Sequence, residues 1–301
     1  MSKPDLSVVI ANRNGVGVLP SCLDSLCRTQ RISLEVIVVD DASTDGSREL
    51  VARGYPEVRL VELSQNLGFG AASNRGAAIS SGRYILFLNN DAIVHTGALE
   101  DLVTFADSHP ELRIGALGLI LQDGSGKDIH SFGSFPSPLQ QLRLWTARFF
   151  GGYEASLQRR AIRFKLSYFP ADYITGAALL VPRAVIERVG GFDESFFLYF
   201  EDTELQKRMA RAGYGRYVLR GPKIVHLGGD GRVRSNEVRI ITYKSLLRYH
   251  RLTMTTSQFN LYRFLFLGIA MLHMANLAFR FKENVGFVSA CFREAQYYTG
   301  Q

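Results

Sequence analysis

Three short stretches carry the residues that could do chemistry. "FLNNDA" (Phe87 to Ala92) ends an apolar run on two amides and an acid. "VDDASTDGS" (Val39 to Ser47) ends another on Asp40 and Asp41, with Asp45 close behind. "FFLYFEDTEL" (Phe196 to Leu205) sets Glu201 and Asp202 directly after an aromatic cluster. An acid at a strand end often caps the following helix. Asp91 is poorly placed for that, because the next helical pattern, Gly97 to His109, begins several residues later. A lone carboxylate flanked by amides suits a hard divalent cation, Mg2+ or Mn2+, which takes one or two protein carboxylates and completes its shell with phosphate oxygens and water. Asp40 and Asp41 can accept from the N–H and O–H groups of a base or ribose. Glu201 and Asp202 can serve as first-turn acids that complement a helix dipole. A carboxylate beside aromatics is also what a general base needs, and Tyr199 and Phe200 could stack on a sugar. His226 precedes a Gly-rich, Arg-containing loop, "LGGDGRVRS", which suits a lid over phosphates; Arg232 and Arg234 are its cations.

These residues must be carried by regular elements. "LSVVIA", "LEVIVVDD", "VRLVEL" and "RYILFL" read as buried strands. Between them lie helical patterns: Leu19, Cys22, Leu23 and Leu26 at i, i+3, i+4, i+7; "STDGSRELVARG", with a cap-like Ser43-Thr44-Asp45 and a stop at Gly54; and the small-residue run "GFGAASNRGAAISSG". The alternation predicts βαβ units, a parallel sheet and a ligand at the carboxyl ends of the strands. Asp40-Asp41, Asn66 and Asn89-Asn90-Asp91 then converge on one rim. After Pro110, "IGALGLIL" and "YITGAALLVP" read as strands, "RAVIERVG" and "EDTELQKRMARAG" as helices, and residues 122–160 as long loops. On the last helix Asp202, Leu205 and Met209 share the inward face, while Glu204 pairs with Arg208 on a more exposed side. His226 follows a short strand.

Composition sets outer limits. A chain of 301 residues with 47% hydrophobic residues builds a proper core. Three cysteines without metal-like spacing argue against a disulfide framework and fit a reducing compartment. "MSKPDLSVVI" lacks an apolar leader and enters a strand at once, which points to the cytoplasm. The net charge is +7, and twelve Lys and Arg between Leu205 and Arg251 face only Asp230 and Glu237. Such a field attracts phosphates, nucleic acid or an anionic membrane. "FLFLGIAMLHMANLAF" (Phe264 to Phe279), flanked by Arg263, Arg280 and Lys282, is short for a spanning helix. It suits a helix lying in the headgroup region, or an internal or oligomer contact.

The motif order "VVIANRNG", "VVDDASTDGS", "NLGFGAASNRG", "FLNNDA", "GGFDESFFLYFEDTELQKRMARAGY" and His226 resembles the family 2 glycosyltransferases, inverting enzymes of the GT-A fold. The resemblance spans residues 5–251. It implies an α/β, Rossmann-like, mostly parallel central sheet flanked by helices, with a C-terminal helical, partly apolar extension. It implies a nucleotide-sugar-binding half at 1–120, an acceptor-binding and catalytic half at 121–239, and the extension at 240–301. Donor nucleotide contacts fall to Asp40, Asp41, Asp45, Asn66, Asn74 and Asn90. Asp91 and His226 take the metal, and His226, Arg232 and Arg234 the diphosphate. Asp202 becomes the base with Glu201 beside it, and Tyr199, Phe200 and Asp172 face the acceptor. Where the family has Asp-x-Asp, Asn89 stands in place of the first acid. The wording is similar to a rhamnosyltransferase-like branch that builds bacterial surface polysaccharide from dTDP-L-rhamnose. That implies a glycan acceptor, lipid-linked, at the inner membrane face, with peripheral membrane contact, no nucleic-acid partner and room for a homodimer. The alternatives are another donor such as a UDP-hexose, or a non-catalytic basic scaffold for nucleic acid or membrane. A sugar nucleotidyltransferase would need a Lys in the loop after the first strand, and "ANRNGVGVLPS" has none.

Overall fold

A computed structural model describes residues 3–29, 31–137, 167–229 and 235–278. Residues 230–234, with Arg232 and Arg234, lie outside them. The chain groups into two compact units. The first comprises Met1–Phe135, Ala155–Phe197 and Glu201–Arg232; the second comprises Pro136–Glu154, Leu198–Phe200 and Val233–Gln301.

The first unit opens with β1 (Leu6–Asn12), α1 (Leu19–Leu26), β2 (Leu34–Asp40), α2 (Ser47–Gly54), β3 (Arg59–Glu62), α3 (Phe69–Ile79) and β4 (Tyr84–Asn89). There follow β5 (Ala92–Val94), α4 (Ala98–Ser108), β6 (Ile114–Gln122), β7 (Phe132–Gly133), β8 (Tyr168–Pro170), β9 (Tyr173–Ile174) and β10 (Ala178–Pro182). It closes with α5 (Arg183–Val189), α6 (Glu201–Arg211) and β11 (Gly215–His226). Among the described residues the main sheet runs β3-β2-β1-β4-β10-β6-β11-β5, with β8 also on β11. The block β3-β2-β1-β4 is parallel, as the alternation required. β10 runs antiparallel between β4 and β6, so the sheet is mixed beyond β4.

Period-two alternation builds a core on each face. Leu6, Val8 and Ile10 of β1 pack with Leu19 and Leu23 of α1 and Leu99 and Leu102 of α4. Val9 faces the other way, with Ile85, Phe87, Ala72 and the α6 residues Leu205 and Met209. Phe87 is fully buried and meets Phe192 edge-on, ring centroids 4.7 Å apart. Truncating a buried Phe of this kind costs about 3–5 kcal/mol. The small residues of α3 serve close packing: a Cβ on Gly76 would collide with the Val9 side chain.

Four expectations need correction. α2 starts at Ser47 with Gly46, at φ 89°, as its cap; Asp45 still accepts from the Ser47 amide, at 3.1 Å, but from one residue further out. "YITGAALLVP" is not one strand, because the turn at Thr175-Gly176-Ala177 divides β9 from β10. The strand before His226 has 12 residues, with a register shift between Leu219 and Ile224. Glu204 is buried rather than exposed: it pairs with Arg208 at 2.8 Å, and Arg208 also donates to the carbonyls of Val189 and Gly191.

The second unit contains α7 (Asn236–Thr253) and α8 (Thr256–Ala278). Ser235 caps α7 by accepting from the Val238 amide. Leu247 of α7 packs with Phe259, Tyr262 and Phe266 of α8. None of the described helices is long and apolar enough to cross a membrane.

Candidate active site

The strand ends do meet. Parallel registers place Asn12 opposite Asp40 and Ala11 opposite Asn89. Asn90 donates to Asn12 Oδ1 at 2.8 Å, and Asn12 donates to Asp40 Oδ2 at 3.0 Å. A polar ladder thus links the ends of β4, β1 and β2. Asn12 is 1% exposed, and the sequence reading passed over it. It obeys the rule that singled out Asn89 and Asp40, since it too ends an apolar strand. Gly15 makes room for the ladder, because a Cβ there would collide with Asn12 Oδ1 and Asn90 Nδ2.

Asp40 is itself 1% exposed. Its other oxygen accepts from the Ser43 amide at 2.9 Å and from Arg48 Nε at 2.7 Å. Burial pushes its carboxyl up, but Ser43, Arg48 and Asn12 outweigh burial and hold it below the usual range. Asp41 accepts from the amides of Leu67 and Gly68, and Asn66 also accepts from Gly68. Arg13 donates to the carbonyls of Asp41 and Ala42, and Asn14 accepts from the Thr44 amide. Asn14 and Ala42 have positive φ, 51° and 59°. Asp45 accepts from the Val16 amide. The loops after β1, β2 and β3 are therefore laced into one platform. Asp40 and Asp41 both take part in that lacing. Asn74 is likewise engaged, exchanging hydrogen bonds with the Phe192 backbone and donating to Glu194.

Asp91 and His226 come together through a strand the sequence reading missed. β5 pairs antiparallel with β11, Ala92 opposite His226. Asp91 Oδ2 accepts from the Gly228 amide at 2.7 Å. Asp91 Oδ1 is buried, makes no hydrogen bond and stands 3.3 Å from His226 Nε2. Asn89 Nδ2 lies 3.0 Å from the same ring nitrogen. When that amide donates, Nε2 presents a lone pair beside a carboxylate oxygen, an arrangement a cation would satisfy. When Nε2 instead carries a proton towards Oδ1, His226 and the Gly228 amide more than offset the burial that raises the Asp91 carboxyl and keep it below the usual range. The described residues hold no cluster of three or more His, Cys, Asp or Glu. Asp91 and His226 fit a divalent ion that draws its remaining ligands from phosphate and water.

Asp202 reaches the same rim by way of Gly176. The Gly176 amide donates to Asp202 Oδ2 at 2.7 Å, and the carbonyl of the next residue, Ala177, accepts from the Asn89 amide at 3.0 Å. Oδ1 accepts from the Thr203 amide and hydroxyl. Buried Gln206 clamps β9 to α6, accepting from Ile174 N–H and donating to Ile174 C=O. Burial raises the Asp202 carboxyl, and the Gly176 and Thr203 donors recover only part of that rise. Glu201 is 5% exposed, with Oε2 unpartnered. Burial, reinforced by Asp202, drives its carboxyl well above the usual range. Burial raises both adjacent carboxyls; the Gly176 and Thr203 donors favour the ionised form of Asp202, while the charge of Asp202 works against ionising Glu201.

Asp172 accepts from the Phe135 amide and lies near Arg216. Tyr199 and Phe200 belong to the second unit.

A family profile described as Glycosyl transferase family 2 matches residues 7–165. The chain is 30% identical over 226 residues to N-acetylglucosaminyl-diphospho-decaprenol L-rhamnosyltransferase of Mycobacterium tuberculosis, covering 68% of this chain and 70% of that one. Among solved structures, the fold is similar to a Pyrobaculum calidifontis mannosyltransferase, PcManGT, in complex with GDP-Man and Mn2+. The TM-score is 0.56 at 16% identity, over 99% of this chain and 88% of that one. It is also similar to GalNAc-T7 with UDP, GalNAc and Mn2+, with a TM-score of 0.60 at 15% identity, over 83% of this chain and 48% of that one.

Proposed function

The chain belongs to glycosyltransferase family 2 and is a glycosyltransferase, and we propose that it transfers its sugar in a single inverting displacement with Asp202 as general base. The observation that carries this reading is the hydrogen bond from Gly176 to Asp202, one residue from the Ala177 carbonyl that accepts from Asn89 in the turn before β10. It holds an ionisable oxygen at the rim that bears Asp91. A base raised towards neutrality takes the proton of an acceptor hydroxyl more effectively, a contribution of about 10²–10⁴-fold. The hydroxyl oxygen then attacks the anomeric carbon as the nucleoside diphosphate leaves, so no covalent nucleophile is needed. Glu201, buried and with its carboxyl raised by burial and by Asp202, supports the base rather than competing with it.

Asp91 and His226 would hold a divalent cation, Mg2+ or Mn2+. When bound, it supplies positive charge opposite the leaving diphosphate. Arg232 and Arg234, which follow His226 in the sequence and lie outside the described residues, would add cationic donors for the same group. The laced platform of Arg13, Asn14, Asp40 and Asp45 cradles the nucleotide, with Asp40 and Asp41 acting through the loops they fasten. Tyr199, Phe200 and Asp172 are assigned to the acceptor side.

The donor we favour is dTDP-L-rhamnose, and the acceptor a lipid-linked glycan diphosphate. The mycobacterial relative's name supports the rhamnosyl group and the lipid diphosphate acceptor, and the basic residues of α7 suit an anionic acceptor. On α8, Leu261, Phe264 and Leu265 are exposed at i, i+3, i+4, which supports contact with a membrane surface. The test is a panel of dTDP-, UDP- and GDP-sugars, read by nucleoside diphosphate release with and without Mn2+. The reading expects dTDP-L-rhamnose to be preferred; turnover of a UDP-hexose instead would displace that donor and leave the base assignment standing.

A further inference from the structure

Two consecutive bulky residues, Tyr199 and Phe200, both have φ of 68°. Left-handed backbone at a large L-residue is rare, and it persists only where the surroundings impose it. Glu201 and Asp202 follow immediately, so the strained pair is the entry to α6. No side chain of a conventional cap residue precedes that helix; its start is set by the conformation of Leu198–Phe200.

Two contacts on this strap come from α7. Leu198–Phe200 folds with the second unit, although the residues on either side belong to the first. Ser245 donates its hydroxyl to the Leu198 carbonyl at 2.8 Å. Tyr249, one turn further on, meets the Phe200 ring, centroids 5.9 Å apart. Ser245 and Tyr249 are 5% and 1% exposed and share one face of α7 at i, i+4. A hydroxyl on a backbone carbonyl and a ring on a ring fix both ends of the left-handed pair.

We propose that Ser245 and Tyr249 are positioning residues for glycosyl transfer: they hold Leu198–Phe200 in the left-handed conformation from which α6 starts with Asp202 on Gly176. The proposal rests on the reading of Asp202 as base.

The test compares Ser245→Ala, Ser245→Thr, Tyr199→Gly and the double variant Ser245→Ala/Tyr199→Gly. Turnover of dTDP-L-rhamnose is read as dTDP release, and amide hydrogen exchange is followed over residues 199–204. Ser245→Ala is expected to lower kcat about tenfold with donor KM within about twofold, the pattern of a lost transition-state interaction. Exchange at 199–204 should rise while the melting temperature stays near that of the wild type. Ser245→Thr should restore turnover, since it keeps the hydroxyl. Glycine adopts positive φ readily, so in the Tyr199→Gly background, whatever that variant loses at the acceptor side, adding Ser245→Ala should lower kcat only about threefold or less relative to Tyr199→Gly alone. Wild-type turnover and exchange in Ser245→Ala would overturn the proposal, as would a loss that neither Ser245→Thr nor Tyr199→Gly relieves. If Asp202→Asn turns over normally while Ser245→Ala does not, the base assignment fails and the strap stands. If the wild type does not turn over dTDP-L-rhamnose, exchange decides: a rise confined to 199–204 supports the strap, and no rise removes it.

Discussion

Gly176 donates its backbone N–H to Asp202 Oδ2 at 2.7 Å, and Ala177 beside it accepts from the Asn89 amide. Three distant segments, at residues 89, 176 and 202, are thereby fixed at one strand end. The proposed base and the turn proposed to bind the cation share a single backbone support.

Glu201 lies behind that support, and its ionisation should oppose folding. Its folded-state pKa is raised, so its contribution to stability is complete below about pH 4.5 and is lost as pH rises through the folded value. Glu201→Gln never ionises and avoids that loss. Thermal melts should show the variant gaining about 2–4 °C over wild type at alkaline pH. The gain should vanish near pH 4.5. A constant difference across pH would show that Glu201 is not buried as an acid.

Gly228 bears on the cation. A Cβ there would collide with Asp91 Oδ2. Gly228→Ala should therefore push the carboxylate out of line with His226 and raise the Mn2+ concentration for half-maximal activity about tenfold, equivalent to ~1.4 kcal/mol. Melting without metal should change little, since Gly228 is exposed. An unchanged Mn2+ titration would take Asp91 out of the cation site.

Asn12 is the middle rung of the rim. Asn12→Ala leaves Asp40 Oδ2 and Asn90 Nδ2 without their partner, at a cost of about 1–3 kcal/mol. Denaturant unfolding should register that loss. Calorimetric titration with dTDP should also show weaker binding, because the platform loops depend on the ladder. Full nucleotide affinity in the variant would confine Asn12 to stability.

Much of this was legible in the sequence, and the limits are physical. Alternating apolar periods gave β1 to β4 and α1 to α4, because each buries a face whose residues recur at the element's own period. The convergence of Asp40 and Asn89 followed from parallel pairing. The Asp91–His226 pair came from the family resemblance and not from periodicity, because it depends on β5 crossing to β11, and a three-residue strand carries too little pattern to announce itself. Gly176 was hidden inside an apolar run that reads as one strand. Glu204 looked solvent-facing because helical period gives direction, while its burial comes from the Gly190-Gly191 loop that Arg208 binds.

The base assignment bears most of the account, and Asp202→Asn tests it most directly. Asn keeps the acceptor oxygen for Gly176 but cannot take a proton. With dTDP-L-rhamnose and a short-chain N-acetylglucosaminyl diphosphate lipid, transfer should fall about 10²–10⁴-fold while dTDP affinity and melting temperature hold. Transfer near the wild-type rate in a folded Asp202→Asn protein would contradict the account.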